Sequence, residues 1–499
     1  KKHHVTGLLG YEYYQRDNNY FRAENSGFGT DATHENNLGG GNAPKMSSSK
    51  DRRKDISGFG RVDYSFDDKY LATVTLRRDG SSVFGGNNKY AYFPGVSVGW
   101  KIDKEDFMAG AADKVDILKL RLGYGQSGNS GIDPYQSLSK YDMTTNGILG
   151  QNKVSGATLT NYMENPDLKW ETTSQVNLGI DYGFFSRLSG NLDFFVKNTK
   201  DMLVQVSQSP MTGHKYQWQN AASMRVWGLE YSLNSTNIQT RDFEWDTQLS
   251  FSWTDNKITD YNVTDESTVA ALNTIGVIKG ERTNSYYTYV IDGIDPSSGS
   301  YRFKDLDGDG SITVKDKAIL GTPDPRVILG FGNTFKYKNF ALDIFFNANF
   351  GNKMYNYSAM NFTLPNTFET SNYMVDAMNY WSESNPNSDI AANRANGNGN
   401  ALYNSRWIED AWFIRLQNVT LSYNLASIPS LRKIFPTAKI YVQAQNLFLI
   451  TPYSGLDPEL ANNAYMSSSE NLPAFLPGSV DMNAYPPART FTVGLNFSF

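Results

Sequence analysis

The strongest constraint on the fold is a strict alternation of large apolar residues with small or polar ones. It is clearest at the end of the chain, where the apolar members are Phe491, Val493, Leu495, Phe497 and Phe499. A period of two is typical of a β-strand, because successive side chains point to opposite faces. About fourteen segments share this pattern, and they begin near residues 4, 55, 70, 91, 115, 171, 187, 223, 243, 327, 340, 411, 439 and 489.

The connections between these segments alternate in length. Short turns are expected at 67–69, 186–187, 237–242 and 338–339, and medium ones at 103–113 and 426–437. Long connections are expected at 25–53, 79–90, 127–169, 201–222, 255–325, 351–409 and 452–488. A membrane barrel sorts its loops in this way, with tight periplasmic turns and long external loops, whereas a soluble β-sandwich has no reason to do so.

We therefore predict an all-β fold, a transmembrane antiparallel β-barrel with both chain ends on the short-turn, periplasmic side. Roughly ten alternating residues per segment suffice for a tilted strand to cross the hydrocarbon layer. Aromatic residues make up 14% of the chain and charged residues only 19%, which suits such strands. A terminal strand must be paired. Fourteen strands that close by themselves as an open pore are one expectation. Residues 1–14 already alternate like a strand, which favours the alternative that the chain is part of a larger barrel.

The composition excludes several other classes of function. The absence of cysteine removes disulfides and thiolate chemistry, and a net charge of −5 gives no indication of nucleic-acid binding. None of the four histidines has the spacing of a metal site or a catalytic triad. Acidic pairs are numerous but none stands out as a glycosidase pair. We predict no catalytic site and no bound organic cofactor.

One local motif has specific metal chemistry. Residues 305–316, DLDGDGSITVKD, fit the twelve-residue calcium loop, in which Gly310 supplies the sharp turn and Ile312 would anchor the loop. The position-twelve residue is aspartate rather than the usual glutamate, and no amphipathic helices flank the loop. A solvated acidic turn is the alternative. The predicted oxygen ligands for a structural Ca²⁺ are Asp305, Asp307, Asp309, the carbonyl of Ser311, Thr313 and Asp316.

The long connections are also rich in aromatic residues, whose flat faces can stack on sugar rings or pack against a partner. The alternative, that these rings pack the loops themselves, is more common. The candidate substrate-binding residues are Tyr216, Trp218, Tyr355, Trp381 and Trp407.

Several motifs resemble one family throughout the chain. The sequence is similar to the SusC/RagA class of TonB-dependent outer-membrane transporters in the segments RRDGSS (77–82), the 305–316 loop with GTPDP (321–325), WFIRLQNVTLSY (412–423), VQAQNLF (442–448), YSGLDPE (453–459) and YPPARTFTVGLN (485–496). Residues 391–394, AANR, depart from the Pro-Arg pair expected there.

The resemblance implies a barrel of about 22 strands with an N-terminal plug and a TonB-contacting segment, neither of which can be matched here. We therefore expect residues 1–499 to be the C-terminal portion of such a barrel, with 305–316 as a calcium loop inside an external connection.

The resemblance also implies a function in the outer membrane of a Gram-negative bacterium. Substrate would be captured under a SusD-type surface lipoprotein lid, and TonB–ExbB–ExbD would drive import through the N-terminal part. An oligosaccharide is the expected substrate, with a peptide as the alternative, and a dimer of transporter–lid pairs is a further expectation. A passive diffusion pore and a secreted adhesin or glycan-binding β-protein are the competing classes.

Overall fold

The computed structural model describes residues 2–32, 34–149, 152–364, 372–392, 403–459, 480–482 and 485–498, with the backbone alone described at 142–149, 152–159 and 274. None of the helices in these ranges is long and apolar enough to cross a membrane.

Strands dominate the described residues, and the helices α1 (Glu266–Thr274), α2 (Tyr357–Thr363) and α3 (Pro429–Arg432) are short. The strands are β1 (His3–Glu24), β2 (Lys45–Phe66), β3 (Tyr70–Ser81), β4 (Tyr90–Lys101), β5 (Val115–Asn129), β6 (Tyr141–Leu149), β7 (Asn152–Leu159), β8 (Tyr162–Met163), β9 (Glu171–Phe184), β10 (Leu188–Ser207), β11 (Tyr216–Gln239), β12 (Phe243–Tyr261), β13 (Tyr287–Tyr289), β14 (Ile291–Ile294), β15 (Tyr301–Phe303), β16 (Lys317–Ile319), β17 (Val327–Tyr337), β18 (Phe340–Phe350), β19 (Lys353–Asn356), β20 (Ile408–Asp410), β21 (Phe413–Asn424), β22 (Thr437–Ile450), β23 (Val480–Asp481) and β24 (Thr490–Ser498).

Fourteen of these strands form one continuous antiparallel sheet. Their order is β1-β2-β3-β4-β5-β9-β10-β11-β12-β17-β18-β21-β22-β24, so each strand pairs with the next one along the chain, apart from short strands in the connections. All fourteen predicted segments are confirmed as strands of this sheet. β1 and β24 stand at its two ends and do not pair with each other within the described residues, so the closed fourteen-stranded pore is not formed.

The predicted extents of three connections are wrong. Pairing of β10 with β11 continues to Ser207 opposite Tyr216, which leaves only 208–215 between the strands, and β3 and β4 leave only 82–89. The connection predicted at 25–53 spans only 25–44, because β2 already begins at Lys45. The longest connections are 130–170, 262–326, 351–412 and 451–489. The alternation does not mark these extensions, because both faces of a strand contact water beyond the membrane. Backbone pairing can continue there without alternating apolar residues.

The short turns lie at one edge of the sheet, together with both ends of the described chain. In the turn between β2 and β3, Asp67 and Asp68 have φ values of 53° and 52°, as a tight hairpin requires. Lys2 accepts a hydrogen bond from the backbone N–H of Asp67 at 2.6 Å. On the last strand in the sheet order, β24, Ser498 pairs with Thr437 of β22. Phe499 lies outside the described residues.

The strand registers align the apolar residues in continuous rows on one face. One row runs through directly paired residues on seven successive strands of the sheet: Tyr70, Trp100, Leu120, Ile180, Leu192, Tyr231 and Phe251. No second sheet covers the rows within the described residues, since Val98 and Leu178 remain 50% and 45% exposed. This is the surface that a strand presents to lipid.

The opposite face carries hydrogen-bonded charges. The guanidinium of Arg121 on β5 lies 2.8 Å from a carboxylate oxygen of Asp181 on β9, the adjacent strand, and 2.9 Å from one of Asp193 on β10, the strand after it. Arg61 makes a similar contact with Asp63 at 2.8 Å. Paired charges of this kind are typical of a barrel's polar interior.

The two faces should differ in how much a new charge lowers the free energy of unfolding. In full-length protein refolded into vesicles, Val96→Arg places a cation in the middle of the apolar rows, where Val96 pairs with Val74, and should lower the free energy of unfolding by about 2–4 kcal/mol, as arginine does near the bilayer midplane. The adjacent Ser97→Arg, on the polar face, should cost much less. Urea unfolding followed by gel mobility measures both, and equal costs would contradict the assignment of faces.

Candidate functional site

Three long connections pack together at the external edge of the sheet, and we call the described parts of 262–326, 351–412 and 451–489 the cap. Its apolar core is built from residues of all three: Tyr286, Tyr301, Tyr355, Tyr357, Met360, Leu364, Ile390, Ala391, Trp407 and Val480. Aromatic side chains of these connections therefore form a large part of a packed core at the external end of the barrel.

Backbone pairing joins the three connections. Strand β19 pairs with β20 on one side and with β23 on the other, which links 351–412 to 451–489. Thr288 donates its hydroxyl proton to the carbonyl of Tyr403 at 2.7 Å, and the N–H of Ile291 donates to the Ser405 hydroxyl at 2.9 Å. These bonds attach 262–326 to the same body, so the cap is one structural unit.

A buried ion pair attaches the cap to the barrel wall. The guanidinium of Arg415, near the external end of β21, donates to both carboxylate oxygens of Asp457 at 2.7 and 2.8 Å. Both side chains are 5% exposed, and Glu459 lies 2.9 Å from the same guanidinium nitrogen. We call this the Arg415–Asp457 latch. A charge pair that is buried in this way loses much stability when one partner is removed.

The cap contains a polar cavity of about 390 Å³. Its polar lining includes the side chains of Asp376, Asp389, Arg406, Glu409 and Ser454. Arg406 pairs with Asp389 at 2.8 Å, and the indole nitrogen of Trp407 is buried with no hydrogen-bond partner among the described residues. The cavity is therefore a hydrogen-bonding space with an excess of carboxylates.

The predicted calcium loop lies at the surface of the cap. Carboxylate oxygens of Asp305, Asp307 and Asp309 all fall within 4.8 Å of one another, and all three residues are exposed. Asp305 accepts hydrogen bonds from the N–H groups of Gly308 and Gly310 at 2.6 and 2.8 Å. Both glycines have positive φ, 74° and 83°, which lets the chain curl around that carboxylate. Three of the six predicted ligands are thus brought together.

Asp316 has a different position from the three grouped carboxylates. Its side chain is fully buried and accepts from the N–H groups of Leu306 and Thr313, each at 2.7 Å, so it joins the two arms of the loop. Hydrogen bonds from the backbone, first that of Thr313, lower the pKa of Asp316. Ser311 donates its N–H to Asp309 at 2.8 Å. Ile312, expected to anchor the loop, is 45% exposed.

The five candidate aromatic residues fall into two groups. Tyr355 is fully buried and Trp407 is 4% exposed in the cap core, so the alternative of loop packing fits these two. Trp381 is partly buried and packs against Gly299. Tyr216 and Trp218 lie at the start of β11 and are also partly buried, with the Tyr216 ring centroid 5.9 Å from that of Tyr162. Stacking on a substrate stays a prediction for these three.

No sequence pattern predicts the latch or the cavity. Arg415 and Asp457 are separated by 42 residues, and neither belongs to a pattern with a spacing that predicts a contact. Both residues lie in segments that carry the family resemblance, WFIRLQNVTLSY and YSGLDPE, but the resemblance does not indicate a contact between them.

The sheet has apolar rows on one face and paired charges on the other, with short turns at one edge and long connections at the opposite edge. These features define an outer-membrane β-barrel protein. The family model described as "TonB dependent receptor-like, beta-barrel" matches residues 2–447. The chain belongs to this family.

Curated relatives agree with this assignment. The chain is 33% identical to TonB-dependent receptor P3 of Formosa agariphila over 100% of this chain and 51% of that protein. It is 31% identical to TonB-dependent receptor SusC of Bacteroides thetaiotaomicron over 89% of this chain and 44% of SusC. This chain therefore spans about half the length of the curated relatives that it matches.

The fold is also similar to that of a solved structure. A chain in the structure of the RagAB peptide transporter superposes with a TM-score of 0.82 at 26% identity, covering 100% of this chain and 54% of that chain. The resemblance to the SusC/RagA class is confirmed, as is the location in the outer membrane.

The latch leads to a prediction for the cap. Asp457→Ala leaves the Arg415 guanidinium buried beside only Glu459, and breaking such a pair costs about 3–5 kcal/mol. We expect 451–489 to become sensitive to protease in the full-length protein. The control is Asp410→Ala, which breaks the exposed pair with Lys353 (2.8 Å) and should cost under about 1 kcal/mol. Equal sensitivity of the two variants would argue against the latch.

Proposed function

We propose that the full-length protein imports an oligomeric nutrient across the outer membrane in a TonB-dependent manner. The observation that supports this most directly is the family match over 2–447, on a sheet whose inner face carries paired charges and amides. Such a face offers a hydrophilic path, and the cap places a polar cavity at its external end. The barrel positions these surfaces and itself catalyses no reaction.

We propose an oligosaccharide as the substrate, with a peptide as the second candidate. Hydroxyl-rich ligands suit a cavity that is lined by carboxylates and an amide, and partly exposed rings such as Trp218 can stack on sugars. The similarity to a chain of the RagAB peptide transporter favours the peptide.

We further propose two sets of partners. A SusD-type surface lipoprotein would cover the cap, where the external connections form one body. TonB–ExbB–ExbD would act through an N-terminal part of the full-length protein. A dimer of transporter–lid pairs fits the same scheme.

Transport can be tested in cells that express the full-length protein with its lipoprotein. Uptake of fluorescent oligosaccharides should stop when a protonophore collapses the inner-membrane gradient or when TonB is deleted, because the import step needs that energy. Peptides of matched size, tested in parallel, separate the two substrates. A steady open current of the purified protein in planar bilayers, or uptake that survives loss of TonB, would instead indicate a passive pore.

We also propose that the 305–316 loop binds a structural Ca²⁺. The grouped carboxylates of Asp305, Asp307 and Asp309 fit a hard cation that prefers oxygen ligands, since without a cation they repel one another. The carbonyl of Ser311, Thr313 and Asp316 would complete the set. The ion would hold the loop against the rest of the cap, close to Tyr287, which donates to the Val314 carbonyl at 3.2 Å.

Removal of the ion should loosen the loop while the barrel stays folded. We expect the double variant Asp307→Ala, Asp309→Ala to increase protease cleavage within 262–326 in calcium buffer to the level that a chelator produces in the unmodified protein. Asp292→Ala, which removes an exposed carboxylate of the same connection outside the loop, is the control. If chelator changes neither cleavage nor lipoprotein binding, the metal has no role.

A further inference from the structure

The side chains on the lipid-facing side of β3 and β4 change along the strands from aromatic to aliphatic and back to aromatic. At the short-turn end Tyr70 is paired with Trp100, and at the external end Arg78 is paired with Tyr92 and Gly80 with Tyr90. The pairs between them are aliphatic: Ala72 with Val98, Val74 with Val96, and Leu76 with Pro94. Aromatic rows on both sides of an apolar band mark the two membrane interfaces. Arg78 therefore lies at the outer interface.

Arg78 is held there by aromatic rings rather than by carboxylates. Its guanidinium lies 4.2 Å from the ring centroid of Tyr90 and 5.7 Å from that of Tyr92. Stacking of this kind leaves the N–H edge of the guanidinium free to donate. Within the described residues, no carboxylate oxygen lies within 4.0 Å of it. The neighbouring Arg77 faces the interior and pairs with Asp79 at 2.6 Å and Glu12 at 3.0 Å.

Lys54 adds a second outward cation above the same band. It is eight residues from Val62 along the uninterrupted register of β2, and Val62 pairs with Val74 of the apolar face. The backbone of Lys54 pairs with that of Ser82, which places it roughly 13 Å beyond Arg78 along the strand. Lys54 is exposed, and its ammonium group also has no carboxylate within 4.0 Å among the described residues.

A second pair of cations occupies an equivalent place on another part of the wall. Arg225 of β11 lies directly opposite Lys257 of β12, two residues above the outward Trp227. Both are exposed, and Arg225 contacts the amide oxygen of Asn198 at 2.7 Å. Like charges that face each other across two strands repel unless an anion lies between them.

We propose that these outward cations bind the phosphate groups of anionic lipids in the outer leaflet, and that Arg78 with Lys54 forms one such lipid site. The phosphate would accept hydrogen bonds from the Arg78 guanidinium and an ionic contact from Lys54, while the acyl chains lie on the aliphatic rows below. Charge-assisted contacts with phosphate are strong where water is partly excluded. The position at the outer interface favours a lipid over free phosphate.

The test compares the stability of full-length protein in two kinds of vesicle, one of phosphatidylcholine and one of equimolar phosphatidylglycerol and phosphatidylcholine. We expect the unmodified protein to unfold at a higher temperature in the anionic vesicles, and the difference to shrink as salt screens the contact. The double variant Lys54→Gln, Arg78→Gln removes both charges while leaving unbranched polar side chains, and should lose most of the difference. Arg61→Gln removes a cation from the inner face of the same sheet and should keep it.

Three outcomes would overturn the proposal. The first is a double variant that retains the full preference for anionic vesicles. The second is an Arg61→Gln variant that loses as much, which would mean that total charge and not the site is responsible. The third is inorganic phosphate producing the same stabilisation in neutral vesicles, which would identify free phosphate as the ligand. A single variant, Arg78→Lys, keeps the charge without the planar stack, and should lose part of the preference if the stacked geometry contributes.

Discussion

The structure depends on the need to pair every backbone N–H and C=O group that enters the hydrocarbon layer. An unpaired group there costs several kcal/mol, so strands can cross only as members of an uninterrupted ladder. The fourteen-stranded sheet meets this need by pairing each strand with its sequence neighbour. Short turns on one edge follow from the same constraint, because consecutive antiparallel strands can be joined by a few residues.

This constraint explains which parts of the fold the sequence could predict. Lipid on one face and water on the other impose the alternation, so all fourteen strands could be found from it. Outside the membrane the alternation has no such cause. The continuation of β10 to Ser207 and of β11 back to Tyr216 rests on backbone pairing, which leaves little trace in side-chain pattern.

The candidate site was predictable only where its chemistry is local. The carboxylates of Asp305, Asp307 and Asp309 lie within one turn of chain, so their spacing alone predicts that they converge. The latch joins Arg415 to Asp457 across 42 residues, and the cavity draws residues from both sides of β20. Whether an aromatic residue faces a ligand or a core, as at Trp407, depends on neighbours that arrive from distant segments.

The shared hydrogen bonds of the cap have an evolutionary consequence. Because β19 takes one partner from its own connection and another from 451–489, a loop transplanted alone from a relative would lack the edges that it must pair with. Adaptation to a new nutrient would then proceed by substitutions at single lining positions, or by exchange of the whole cap at once. Relatives should therefore differ by exchange of the whole cap, and should vary least where the hydrogen-bonded strands of its connections pair with one another.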